Sequence, residues 1–98
     1  MRKVTREIIN AFESGKNLRV SNSEVKADAT GVYMYLFGNL IAKKENNKLF
    51  ITMAGYNTNT TRERLNGLRG VSLCQRNYTP YLNGREINSC EWYEVEQV

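Results

Sequence analysis

Histidine is absent from this chain, and cysteine occurs only at Cys74 and Cys90. Without histidine the usual proton carrier at neutral pH is missing. Without histidine or a Cys-x-x-Cys pair there is no ligand set for structural zinc. The two cysteines form a disulfide only if their strands are neighbours; in a cytoplasmic chain, free thiols are the expectation. No apolar run approaches the ~20 residues that cross a bilayer. The opening Met1-Arg2-Lys3-Val4-Thr5 leads into charged Arg6, Glu7 and Glu13 rather than an apolar signal core, so a cytoplasmic chain with no membrane partner is expected. Phosphate-loop, nucleotide-binding glycine and nucleophile-elbow patterns are all missing. The acidic residues are scattered and suggest no general acid–base pair. The expectation is a non-enzyme with no catalytic residue, cofactor or metal.

Basic charge is present, and it is unevenly placed. Through Arg85 there are 14 basic and 6 acidic residues, a balance of +8; Glu86, Glu91, Glu94 and Glu96 follow with no base. A basic body with an acidic tail suits a polyanionic partner, because phosphate contacts dominate affinity for nucleic acid. A solvated surface partly neutralised by its own tail is the plain alternative.

Ninety-eight residues, 41% hydrophobic and 24% charged, fit one globular domain without a linker. Within it, one small unit is written twice. Thr5-Arg6-Glu7-Ile8-Ile9-Asn10-Ala11-Phe12 reappears as Thr61-Arg62-Glu63-Arg64-Leu65-Asn66-Gly67-Leu68, and Tyr35-Leu36-Phe37-Gly38-Asn39-Leu40-Ile41 as Tyr81-Leu82-Asn83-Gly84-Arg85-Glu86-Ile87. The expected division is one repeat over about residues 1–56 and a second over about 57–98.

In the first repeat Thr5 reads as an N-cap, with Val4 stapled to Ile9 and Gly15 as the stop. In the second, Thr60 and Glu63 have the spacing of a capping box, Leu65 and Leu68 form the apolar face, and Gly70 ends the helix. Strands are expected over 18–22, 23–26, 32–37, 40–44, 48–53, 71–76, 81–82 and 92–95. Gly38-Asn39, Asn46-Asn47 and Asn83-Gly84 read as two-residue hairpin loops. Those loops put Tyr33, Tyr35, Phe37, Leu40, Ala42, Leu49, Ile51 and Met53 on one sheet face, the expected core. Val32, Met34, Leu36, Ile41 and Phe50 fall on the other, mixed with Lys43, Glu45, Lys48 and Thr52.

Tyr33, Tyr35 and Phe37, spaced by two, invite comparison with base-stacking platforms. Sharing a face with Leu40, Ile51 and Met53 argues that they are core instead. Arg62, Arg64, Arg69, Arg76 and Arg85 supply all the basic charge of the second repeat, and arginine favours forked contacts to phosphate. Thr60 and Thr61 at the start of its helix add candidate anion contacts. Asn57-Thr58-Asn59-Thr60-Thr61 reads chiefly as turn and cap chemistry leading into that helix. The second sheet face offers Met34, Leu36, Ile41, Lys43 and Phe50 as a protein interface, apolar yet interrupted by charge. The same patch equally suits a symmetric homodimer.

The residues Tyr35-Leu36-Phe37-Gly38-Asn39-Leu40-Ile41-Ala42, and again Ile51-Thr52-Met53-Ala54-Gly55-Tyr56 through Asn57-Thr58-Asn59-Thr60-Thr61-Arg62-Glu63-Arg64-Leu65-Asn66-Gly67-Leu68, give the chain its likeness to known proteins. It resembles a group of small tailed-bacteriophage proteins with the pattern L-Y-L-H-G-N-x-I-A, then A-G-W-x-T-x-T-T-x-x-R-L-N-A-L, over about residues 17–87. Phe37, Tyr56 and Gly67 stand where the group has histidine, tryptophan and alanine. The resemblance implies a phage accessory protein acting inside a bacterium, and it implies no activity.

The expected fold is α+β, a single domain of two tandem helix-plus-antiparallel-sheet repeats. Its two short helices are expected on one side of the sheet, over Tyr35, Leu40 and Ile51. The double-stranded-RNA-binding order is the nearest familiar alternative for residues 1–70, but it calls for a basic second helix. The expected function is nucleic-acid binding through phosphates. The rival is a phage inhibitor of a host protein, such as a defence or transcription component.

Overall fold

Both helices begin ahead of the threonines expected to cap them. The computed structural model describes residues 2–97. Helix α1 spans Lys3–Ser14 with Arg2 at the cap position and no side-chain cap bond, so Thr5 lies inside the helix and is buried. Thr5, Ile8, Ile9 and Phe12 share its inward stripe. Burying a side chain such as Ile8 or Phe12 contributes about 1.5–3 kcal/mol. Gly15 ends the helix in the left-handed region, φ 70°, and the Lys16 amide closes on the Ala11 carbonyl at 2.9 Å, as expected of a glycine stop.

Helix α2 spans Asn59–Asn66. Thr58, not Thr60, caps it by accepting from the Thr61 amide at 3.2 Å, which leaves Glu63 free for other partners. Gly67 remains right-handed, and Gly70, at φ +86°, turns the chain only after the helix has ended. A Cβ on Gly70 would stand 2.5 Å from the Glu96 carbonyl, so the final strand passes there only because that side chain is missing.

Among the described residues, nine strands form two antiparallel sheets. In the larger one, β1 (Leu18–Val20), β2 (Ser23–Ala27), β3 (Val32–Leu36), β4 (Asn39–Glu45) and β5 (Lys48–Ile51) run as a meander, and β9 (Tyr93–Val95) adds to β5. The smaller sheet is β6 (Leu73–Arg76), β7 (Thr79–Leu82) and β8 (Arg85–Glu86). The architecture is therefore α+β with antiparallel sheets. A helix followed by an antiparallel meander occurs twice, but β9 returns to the first sheet.

The β3–β4 loop differs from expectation by one residue. Leu36 pairs with Asn39, so the loop is Phe37-Gly38, with φ 50° and 80°, a type I′ turn. The pairing then shifts: Tyr35 faces Leu40 while Met34 faces Ala42, which leaves Ile41 as a bulge. A one-residue slip moves every side chain to the other face. The row Leu18–Val25–Met34–Ala42–Ile51–Tyr93 therefore crosses all six strands on the core side.

Met34, Ala42 and Ile51 are fully buried there, in one cluster with Ile8 and Phe12 from α1 and Leu65 and Leu68 from α2. Both helices lie on this face, over Met34, Ala42 and Ile51, not over Tyr35 and Leu40. Tyr33, Tyr35 and Leu40 point to the opposite face, which stays open.

Candidate functional site

The residues expected to meet phosphate do not form one patch. Thr61, Arg64, Leu65 and Leu68 fall at the i, i+3, i+4, i+7 spacing of an inward stripe, and all four are buried. Arg64, only 2% exposed, is an internal hub. Its Nε donates to Ser23 Oγ at 3.0 Å, Nη1 donates to Thr5 Oγ1 and to Glu63 Oε1, and Nη2 donates to Asn22 Oδ1 at 3.3 Å. Burial lowers its pKa, and the charge of Glu63 opposes that shift. Glu63 also accepts from Arg2 and is held below the usual carboxylate range by that hydrogen bond.

Arg62 is likewise turned in, its guanidinium held by the side-chain oxygens of Asn57 and Asn59. Thr60 is half-buried beside it. Arg69, Arg76 and Arg85 are exposed but scattered. Arg69 borders a groove shared with Lys44, Lys48, Glu94 and Glu96. Arg76 lies over the Tyr81 ring at 5.8 Å, and Arg85 sits on the short strand β8.

The set expected to form a protein interface divides in two. Met34, Leu36 and Ile41 are core, at most 4% exposed. The I′ turn and the bulge carry them inward, so these three make no exposed apolar patch. Lys43 and Phe50 lie on the open face.

Tyr33, Tyr35 and Leu40, expected in the core, join Lys43 and Phe50 on this open face. One row across it is Lys26–Tyr33–Lys43–Phe50–Glu94; the next is Arg19–Glu24–Tyr35–Leu40. Lys26 Nζ stands 5.3 Å from the Tyr35 ring centre. Lys43 Nζ stands 5.6 Å from the Phe50 ring and 4.8 Å from the ring of Trp92, just before β9. Such cation–aromatic contacts fix lysine heads above a sheet without burying them. Tyr33 donates its hydroxyl to Glu45 Oε2 at 2.6 Å, which raises the phenol pKa and holds the ring in place. Tyr35, Phe50 and Trp92 all keep part of their surface in water. The alternating Tyr33-x-Tyr35 was the available sequence signal.

A second feature adjoins the tip of the β3–β4 hairpin. A cleft of about 300 Å³ opens between the tip and the chain leading into α2. Leu36, Ile41 and Met53 form its apolar walls, and Asn39, Thr58 and Thr61 supply polar groups. Phe37 and Tyr56 stand at its mouth as exposed rings. Every lining residue comes from the two stretches that carry the phage pattern. Phe37 also borders a neighbouring hollow with Arg19 and Tyr35, at the end of the open face.

Residues 1–98 match the family described as Kyanoviridae Gp96 protein. The chain belongs to that family. Membership bears out the phage resemblance read at Tyr35–Ala42 and Ile51–Leu68, and extends it to the whole chain. No curated protein and no solved structure matches the chain. For this Gp96-family chain the likeness therefore names a phage origin and no activity. Among the described residues no helix is long and apolar enough to cross a membrane, and Cys74 and Cys90 are exposed free thiols.

Proposed function

We propose that this chain is a non-catalytic phage accessory protein that binds single-stranded nucleic acid across the open face of its six-stranded sheet, in the cytoplasm of the infected bacterium. The observation that carries this reading is the set Tyr33, Tyr35, Phe50 and Trp92, half-buried or exposed on one face and interleaved with Lys26 and Lys43. Aromatic rings on a sheet stack against bases of any sequence, while nearby cations follow the phosphates. Arg19, Lys26 and Lys43 are the cations so placed. Three acidic groups share the face: Glu45 is engaged by Tyr33 and lies 4.0 Å from Lys43, Glu94 sits on the edge strand, and Glu24 lies beside Arg19 in its row.

The site thus differs from the one expected on the second-repeat arginines, while the ligand class is the same. Polarisation of labelled oligothymidylate or oligouridylate at ~50 mM salt is expected to show saturable binding. With about three phosphates neutralised, log affinity falls against log salt with a slope of about −2. A duplex of equal length binds at least about tenfold more weakly, because paired bases offer no free faces. Absence of binding, or preference for the duplex, overturns the reading. A host protein retained from lysate by a chain that binds no oligonucleotide would favour the inhibitor instead.

A further inference from the structure

The turn at Phe37-Gly38 puts a bulky aromatic where the backbone disfavours one. Phe37 has φ 50° and is 69% exposed. The first position of a type I′ turn favours asparagine or glycine, and a bulky residue at positive φ is an outlier that commonly marks a functional demand. The echoing turn in the second half holds Asn83 at the same position, with φ 51°. Phe37 therefore costs stability at a position where asparagine would not, and as an exposed ring it gains nothing from burial.

Its surroundings supply a reason. Phe37 is the wall between the end of the open face, with Arg19 and Tyr35, and the cleft floored by Leu36, Ile41 and Met53. At about 300 Å³ the cleft lies at the small end of ligand sites, so it suits one ring system rather than a peptide helix. Its far side is polar. Thr58 and Thr61 share a hydroxyl–hydroxyl bond of 2.9 Å. Asn39 lines the cleft, and its carboxamide takes part in no side-chain hydrogen bond among the described residues. A carboxamide offers a donor and an acceptor side by side, the pair that reads the edge of a base. An aliphatic side chain would leave both unmatched.

We infer that this cleft receives one unstacked base of the strand bound on the open face, held between Phe37 and Tyr56 with its edge toward Asn39. The inference rests on the single-strand reading above and adds a pocket with a fixed register to a surface that would otherwise let the strand slide.

The test pairs protein variants with abasic ligands. Octathymidylates carrying one abasic site at each position in turn are titrated into the full chain and into Phe37→Asn. In the unsubstituted chain, abasic substitution at one position weakens binding about tenfold, the worth of one stacked base. Phe37→Asn weakens the intact strand by a similar factor and no longer responds to that abasic site. Its melting temperature rises by a few degrees, since asparagine accepts the left-handed turn. Tyr56→Ala, at the opposite lip, shows the same indifference to the abasic site.

Additive losses at every position overturn the pocket while leaving the open face intact, and would leave the cleft to another class of occupant, such as an aromatic side chain of a host protein. A fall in melting temperature for Phe37→Asn shows that Phe37 serves folding, and also overturns the pocket. If no octanucleotide binds the unsubstituted chain, the open-face reading fails and the pocket with it.

Discussion

Replacing Arg64 by alanine is expected to destabilise the fold by about 4 kcal/mol, a drop of roughly 20 °C in melting temperature. Arg64 lies in the interior and donates to Thr5, Ser23, Asn22 and Glu63. Truncation leaves the buried hydroxyls of Thr5 and Ser23 without this donor and opens a cavity beneath α2. Both effects act together because the guanidinium ties both helices to β2 at once. Arg64→Lys recovers only part of the loss, since one ammonium cannot span four partners held by a planar fork. A phosphate-binding arginine would behave in the opposite way, weakening ligand binding and leaving the melting curve in place. Thermal unfolding by circular dichroism separates the two roles.

Removing two rings of the open face is expected to abolish most of the binding. Stacking is worth about 1–3 kcal/mol per base, so Tyr35→Ala with Phe50→Ala lowers affinity for oligothymidylate by about 100-fold. The two residues lie in neighbouring rows of the sheet and are only half-buried, so the fold survives the change. Arg69→Ala with Arg85→Ala, two exposed arginines outside that face, is the control and changes affinity less than about threefold. Polarisation titrations of both pairs give the comparison. Equal losses in the two would return the site to the arginines of the second half.

The elements themselves were legible, because hydrophobic period and turn residues marked each helix and strand. Ala42, Leu49, Ile51 and Met53 are buried as expected, but the buried face of β3 and the start of β4 was not legible, and one loop explains the difference. Gly38 with Asn39 resembles a turn with glycine first, whereas the chain places glycine second, as it does at Asn83-Gly84. The echo of Tyr81-Leu82-Asn83-Gly84 in Tyr35-Leu36-Phe37-Gly38 contains the right answer, since Leu36–Asn39 and Leu82–Arg85 pair alike. Local preference spoke against it, because phenylalanine at positive φ is costly. Tertiary packing prevailed: Met34, Leu36 and Ile41 could all be buried only in this register, with Ile41 in the bulge.

Arg64 was misjudged for a related reason. Its charge suggested surface, while its spacing to Thr61, Leu65 and Leu68 indicated the core stripe. The helix caps followed the first threonine that suited a box, and Thr58 lay just ahead of it. The cleft had no local signal at all. It exists only because the β3–β4 tip folds against the chain entering α2, although the two stretches that line it also carry the phage pattern.

The central claim is that the open face of the larger sheet is where nucleic acid stacks, and the chain carries its own reporter of that face. Trp92 is the single tryptophan, it is 39% exposed, and its ring lies 4.8 Å from Lys43 Nζ. Titrating oligothymidylate while following tryptophan emission is expected to give saturable quenching, with the same midpoint as the polarisation curve. The Tyr35→Ala, Phe50→Ala chain is expected to lose both signals together. Oligonucleotide binding that leaves Trp92 emission unchanged would contradict the account, because the bound strand would then lie elsewhere on the molecule.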